Sequence, residues 1–153
     1  MKKLSIGLLL TAILLFSNVP LRTNALTQQD RVMIFVTDAY YGDADGDGYT
    51  DDVIAIVDIA IESNQFIYLI QYEIYLQMPS GTVYGYIFWI FTMNPTIHIV
   101  NNFYNHATEK GDYTIHAFAD FAGTLYPSGY DTHTFDPPGG DNGDPPTIEV
   151  IVS

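Results

Sequence analysis

The feature that most constrains the fold of this chain is an apolar residue at every second position, repeated through several short segments. Such alternation places apolar side chains on one face of a β-strand and the intervening side chains on the other. The residues in these segments are mainly Val, Ile, Tyr, Phe and Thr, which favour strands. The pattern predicts strands at 31–37, 52–62, 66–77, 82–92, 96–104, 113–121 and 130–135.

Turn residues separate these segments and indicate the fold class. Pro, Gly, Asn and Asp occur between strands, for example at 78–81 and 109–112, and such turns join antiparallel neighbours. The sequence therefore predicts an all-β fold, an antiparallel sandwich of about seven strands over residues 26–136. The number and spacing of the strands resemble those of immunoglobulin-like and fibronectin-type modules. That resemblance implies a two-sheet core and leaves the order of the strands open.

The first 25 residues have the composition of a secretory signal peptide. Lys2 and Lys3 precede an apolar run at 4–16, and the small residue Ala25 ends the stretch that follows. We expect cleavage after Ala25. The run is shorter than the ~20 residues of a membrane-spanning helix, so we expect no stable membrane span after cleavage. The mature protein would be secreted, either extracellular or held at a cell surface.

The chain is strongly acidic, which excludes some classes of partner. It has 5 Lys and Arg against 18 Asp and Glu, a net charge of −13. Removal of residues 1–25 would take three cations and no acid, which leaves 2 cations against 18 acids, or −16. Such a surface repels nucleic acid and anionic lipid and attracts cations. Since 48% of the residues are hydrophobic, the chain can still bury a core without cysteine.

The segment with the clearest chemistry is an acidic loop at 43–52, between the first two strands. Its carboxylates recur at alternate positions, as in loops that bind Ca²⁺, a hard ion that takes about 6–8 oxygen ligands. Gly48 stands where the sharp turn of an EF-hand loop needs glycine. We predict one structural calcium site with six candidate ligand residues: Asp43, Asp45, Asp47, Tyr49 through its backbone carbonyl, Asp51 and Asp52.

This loop departs from the EF-hand pattern. Ile54 occupies the position of the bidentate Glu, and predicted strands rather than helices flank the loop, so we expect Asp52 to replace that Glu. The segment is more similar to the D-x-D-G-D-G-x-x-D loops of FG-GAP propeller repeats, thrombospondin type 3 repeats and dockerins. The resemblance covers about a dozen residues and implies a calcium site rather than a whole fold.

The segment at 83–93 is apolar at both alternating sets of positions. We interpret it as a central strand that is covered on both faces. The alternative is an exposed apolar and aromatic stripe that contacts a partner chain or a sugar.

The C-terminal residues change in composition. Residues 137–146 are rich in Pro, Gly and Asp and are predicted to form a linker, and 147–153 form a lone strand pattern. We expect this strand to begin a further domain. Two alternatives are that it pairs in the sheet of another subunit or packs against its own domain.

No motif of a known active site is present, such as G-x-S-x-G, H-E-x-x-H or a phosphate-binding glycine loop. We therefore expect a protein that is not an enzyme. The favoured interpretation is a secreted or cell-surface structural or adhesive module with one calcium ion, whose partners are other surface proteins, glycans or further copies of itself. The alternative is a carbohydrate-binding module, which coplanar exposed rings would favour. A small secreted hydrolase would need two facing carboxylates.

Overall fold

A computed structural model describes residues 30–123, 129–136 and 145–153. The described residues form eight β-strands: β1 (Arg31–Gly42), β2 (Asp52–Glu62), β3 (Tyr68–Gln77), β4 (Val83–Thr92), β5 (Thr96–Tyr104), β6 (Tyr113–Phe121), β7 (Gly129–Phe135) and β8 (Thr147–Val152). Within these ranges there is no helix that is long and apolar enough to cross a membrane. The predicted signal peptide, 1–25, and most of the predicted linker lie outside the described residues.

The strands form two four-stranded antiparallel sheets. The first sheet has the order β1-β2-β5-β8 and the second has the order β4-β3-β6-β7. In immunoglobulin-like sandwiches the first, second and fifth strands share one sheet, and the third, sixth and seventh share the other. The same division is found here, with β4 added beside β3. The predicted all-β sandwich is therefore confirmed, with eight strands instead of about seven.

The core lies between the inner faces of the two sheets. Inward side chains such as Val57 of β2 and Ile70 of β3 are fully buried. One polar chain of hydrogen bonds crosses this core: Tyr72 donates its hydroxyl to Asn101 Oδ1 at 3.2 Å, and Asn101 donates to the Ala55 carbonyl at 3.1 Å. These buried polar groups are therefore satisfied, which avoids the desolvation cost of an unpaired one.

The two sheets close against each other along one flank, where β1 meets β7. A Cβ at Gly129 of β7 would lie only 3.1 Å from the Val32 carbonyl oxygen of β1. A bulge interrupts β1 between Val36 and Asp38. The carboxylate of Asp131 in β7 accepts the N–H of Val36 at 2.8 Å, which satisfies a backbone group on the open side of β1.

The final strand belongs to the first sheet. β8 pairs antiparallel with β5, from Ile99 opposite Val152 to Tyr104 opposite Thr147. Glu149 of β8 accepts the Tyr104 hydroxyl at 2.5 Å. The description of 147–153 as a lone strand is therefore wrong. β2 pairs with one edge of β5, and β8 pairs with the other edge.

β4 lies at the edge of the second sheet and pairs with β3 alone. Its outward side chains Ile87, Trp89 and Phe91 are 48%, 66% and 71% exposed. The interpretation of this segment as a central strand covered on both faces is therefore wrong. β4 is apolar at both sets of alternating positions because its inner side chains pack against the core, while its outer side chains are also apolar but face solvent.

Candidate metal centre

The acidic loop connects the end of β1 to the start of β2. Gly46 and Gly48 have φ values of 80° and 95°, in the left-handed region that glycine adopts without steric cost. These two residues turn the backbone tightly enough to bring the acidic residues on either side of them together.

The side chains of the loop bind its own backbone. Asp43 accepts the N–H groups of Gly46 at 2.8 Å and Gly48 at 3.1 Å, one with each carboxylate oxygen. Asp45 and Asp47 each accept the N–H of the residue two positions further on, at 3.1 and 2.8 Å. Such short-range bonds are typical of Asp in turns. The loop therefore has a shape that its own carboxylates define.

Three of the predicted ligands converge. Asp43, Asp45 and Asp52 each offer a carboxylate oxygen, and the three oxygens lie within 4.8 Å of one another. Two oxygens at about 2.3–2.6 Å from one calcium ion can be no more than ~5 Å apart. The three carboxylates are thus spaced so that one ion could contact all of them.

Asp52 anchors this group to the sandwich. Its Oδ2 accepts the N–H groups of Ala44 at 2.6 Å and Asp45 at 3.1 Å, and its Oδ1 accepts the N–H of Asn105 at 2.8 Å. Asp52 is fully buried. Asp52 is the first residue of β2, and Asn105 begins the turn after β5. One carboxylate therefore joins the acidic loop to β2 and to the turn after β5.

Asp51 is the most unusual acid of the loop. It has no exposed surface, and neither carboxylate oxygen has a hydrogen-bond partner among the described residues. Burial raises the pKa of Asp51, and the negative charges of Asp52, Asp47 and Asp45 raise it further, against its own backbone N–H, which lowers it. A buried carboxylate without a partner is costly unless a cation or a proton neutralises it.

The charge of the cluster also affects its exposed members. The N–H of Asp47 lowers the pKa of Asp45, but desolvation and the negative charges of Asp52, Asp47 and Asp43 outweigh this bond, so the pKa is raised. Mutual repulsion thus contributes to the raised pKa of both Asp45 and Asp51, and a divalent cation would relieve the same repulsion.

The structure separates the six predicted ligands into two groups. Asp43, Asp45 and Asp52 form the convergent set, whereas Asp47 and Asp51 lie outside it and Tyr49 has a side chain that is 52% exposed. The roles of all six residues as calcium ligands stay predictions.

Sequence reasoning missed the turn after β5. Asn105 has a positive φ of 61° and donates to Asp52, and Ala107 donates its N–H to the Asp51 carbonyl at 2.6 Å. An Asn directly after a strand is a signal for a left-handed residue, but it does not reveal which distant loop its N–H contacts.

Surface depressions away from the loop include one on the outer face of each sheet. On the outer face of the second sheet, a groove of about 380 Å³ contains one carboxylate, Glu73, which accepts hydrogen bonds from Gln71 at 2.7 Å and Tyr75 at 2.6 Å. The rings of Tyr75 and Phe118 in this groove meet at 85°. They do not form a flat platform.

The second depression, of about 590 Å³, lies on the outer face of the first sheet. It contains a pair in which His98 Nδ1 lies 2.7 Å from Asp58 Oδ1, with both side chains about half exposed. An exposed pair of this kind contributes at most about 1 kcal/mol to stability.

No family model, no curated protein and no solved structure matches this chain. The geometry of the acidic loop and of the sandwich surfaces therefore carries the functional inference.

Proposed function

We propose that this protein is a secreted or cell-surface structural module with adhesive contacts, whose sandwich is stabilised by one calcium ion in the loop at 43–52. The observation that supports this most strongly is the position of Asp51. Its carboxylate is buried without a hydrogen-bond partner among the described residues, and Asp51 directly precedes Asp52, which belongs to the convergent set with Asp43 and Asp45. A bound cation would neutralise both the exposed and the buried acids.

The position of the loop explains how such an ion would stabilise the fold. Asp43 follows the last residue of β1, Asp52 is the first residue of β2, and Asp52 also accepts a hydrogen bond from the turn after β5. An ion held by these carboxylates would fix the connection between β1 and β2, and Asp52 would link that connection to the turn after β5, 53 residues further along the chain. The described loop connects strands, with no helix pair that an ion could open, so a structural role is favoured over a switch.

The groove of the second sheet bears on the two alternatives. Carbohydrate binding would be supported by coplanar rings; Tyr75 and Phe118 meet at 85°, whereas His116 and Tyr130 are nearly parallel at 12°, so a glycan stays among the partners of the module. A hydrolase would need two facing carboxylates, and the groove of the second sheet is lined by one carboxylate, Glu73. The partners in this proposal are surface proteins, glycans or further copies of the chain.

Thermal unfolding in chelator, in millimolar Ca²⁺ and in millimolar Mg²⁺ tests the calcium proposal. A ligand at 100 times its dissociation constant stabilises the folded state by about 2.7 kcal/mol, so Ca²⁺ should raise Tm by several degrees. Mg²⁺ is the matched control because it prefers a smaller octahedral site with several waters. An identical Tm in chelator and in Ca²⁺ would refute the proposal, and an equal rise with Mg²⁺ would refute a calcium-specific site.

A further inference from the structure

The open edge of β4 is the longest uninterrupted edge in the described part of the chain. Val83–Thr92 pairs with β3 in one continuous register, from Gln77 opposite Val83 to Tyr68 opposite Thr92. Along an edge strand, alternate residues direct their N–H and C=O groups away from the neighbouring strand. Ten residues without a bulge or proline thus present a regular row of backbone donors and acceptors.

The other three edge strands carry features that oppose pairing with another chain. β1, β7 and β8 contain the acids Asp38, Asp131 and Glu149, respectively, whereas β4 contains no charged residue. β1 is also interrupted by its bulge, and β7 and β8 have only 7 and 6 residues. Charges, bulges and short length are the usual means by which proteins protect sheet edges. β4 has none of them.

The outer row of β4 is apolar and exposed. Trp89 and Phe91 are 66% and 71% exposed, and Ile87 beside them is 48% exposed. The exposed parts of the two rings amount to roughly 300 Å² of surface in each copy. A row of this kind in an uncharged edge is a candidate interface.

The inner row of β4 is also incompletely covered. Tyr84, Tyr86 and Phe88 pack against the core but remain partly exposed. The sheets close along the β1–β7 flank, whereas in the described part of the chain the backbone of β4 comes close only to β3. A strand added beside β4 would therefore cover apolar surface on both of its faces.

We propose that β4 is a self-association edge, where two copies of this chain pair their β4 strands antiparallel to form one continuous eight-stranded sheet. The pairing is isologous, since the same strand contributes from each copy, so it closes at the dimer and does not extend into a fibre. Backbone hydrogen bonds set the geometry, and the outer aromatic rows pack across the two-fold axis.

The charge of the chain makes β4 the edge at which a second copy meets the least repulsion. The net charge is −13, or −16 without residues 1–25, so most contacts between copies would bring acids together. Pairing through β4 avoids this because neither strand carries an acid. The nearest acid on the same face, Glu73 of β3, is held by Gln71 and Tyr75. A basic partner would instead be attracted to the acidic loop or to the acid-bearing edges.

The exposed ring area is smaller than the ~800 Å² that each partner contributes to a typical stable interface. The dimer should therefore dissociate on dilution. Because the two copies repel each other elsewhere, added salt should strengthen their association by screening that repulsion.

Sedimentation velocity of the purified protein over a concentration series, in Ca²⁺, tests this inference. We expect a reversible monomer–dimer equilibrium that shifts at least tenfold toward monomer in Trp89→Lys. The matched control is Phe35→Lys, which introduces the same charge at a 49% exposed aromatic residue of the edge strand β1. Because a lysine lowers the net negative charge of each copy, general repulsion alone would favour association in both variants.

Hydrogen exchange of the wild-type protein provides a second measurement that does not depend on the folding of a variant. Strand pairing should slow exchange at alternate amides of Val83–Thr92 at high protein concentration, while packing of sheet faces alone would leave them unchanged. A wild-type monomer at all concentrations would overturn the inference, as would equal dissociation in the two Lys variants. Binding of a glycan or a foreign peptide at β4 by a strictly monomeric protein would also overturn it.

Discussion

The carboxylate of Asp52 accepts the backbone N–H of Asn105 at 2.8 Å, across 53 residues of chain. Both residues are buried, and Asn105 holds a positive φ of 61° at the end of β5. The same carboxylate binds the N–H groups of Ala44 and Asp45 in the acidic loop. Asp52 thus belongs both to the candidate metal centre and to the contact with the β5–β6 turn, which connects the two sheets. A change in the charge of the loop should therefore also change the stability of the fold.

The first prediction concerns Asp52 in the absence of metal. Asp52→Ala leaves the buried N–H of Asn105 without its acceptor, which costs roughly 1–3 kcal/mol. Urea denaturation in chelator should show a loss of this size. Asp58→Ala, on the same strand but in an exposed pair with His98, is the control and should cost at most about 1 kcal/mol. Equal losses in the two variants would contradict a structural role for Asp52.

The second prediction ranks the acids of the loop by their response to calcium. Asp45 belongs to the convergent set and Asp47 does not, so Asp45→Ala should remove most of the rise in Tm with Ca²⁺ and Asp47→Ala should remove less. His116→Ala, on β6 of the second sheet, should keep the full response. A wild-type response in Asp45→Ala would exclude that residue as a ligand.

The third prediction is a pH dependence of the metal-free protein. Burial and neighbouring negative charge raise the pKa of Asp51 above the ordinary value of 3.8. An acid with a raised pKa in the folded state contributes stability that is complete below its unfolded pKa and is lost as the pH rises through its folded pKa. Stability in chelator should therefore increase as the pH falls from neutral toward the ordinary Asp pKa of 3.8.

Two conditions separate this effect from the general charge of the protein. Asp51→Asn removes the titrating group at nearly constant shape, so its stability should depend less on pH, and it should exceed the wild-type stability at neutral pH in chelator. Ca²⁺ should flatten the wild-type profile because the cation stabilises the ionised form. Parallel profiles for wild type and Asp51→Asn, measured by urea denaturation, would show that Asp51 is not responsible.

The fourth prediction concerns the last strand. Deletion of 137–153 should lower Tm of the monomer by several degrees, because β8 covers the open edge of β5. Val150 is half-buried against the core and Ile151 is 50% exposed, so Val150→Ser should cost about 1 kcal/mol and Ile151→Ser clearly less. An unchanged Tm after the deletion would show that β8 does not stabilise this sheet.

The strands themselves were largely predictable from sequence. The predicted strands at 96–104 and 113–121 agree with β5 and β6. Turn residues precede both strands, and apolar alternation is continuous in 113–121 and broken in 96–104 only around Asn101. The first strand was predicted to end at residue 37 but continues to Gly42. The bulge between Val36 and Asp38 shifts the alternation by one residue, so the pattern beyond it no longer matches the pattern before it.

The sequence by itself determined the all-β class and placed a run of acids between the first two strands. Both depend on neighbours in the chain: alternation follows from the pleat of a strand, and the tight turn follows from the glycines at 46 and 48. Only the tertiary structure decided which acids converge, that β8 joins β5, and that β4 lies at an edge. These depend on contacts between distant residues, such as Asp52 with Asn105, and an apolar strand has the same sequence pattern whether a neighbouring strand or solvent lies beside it.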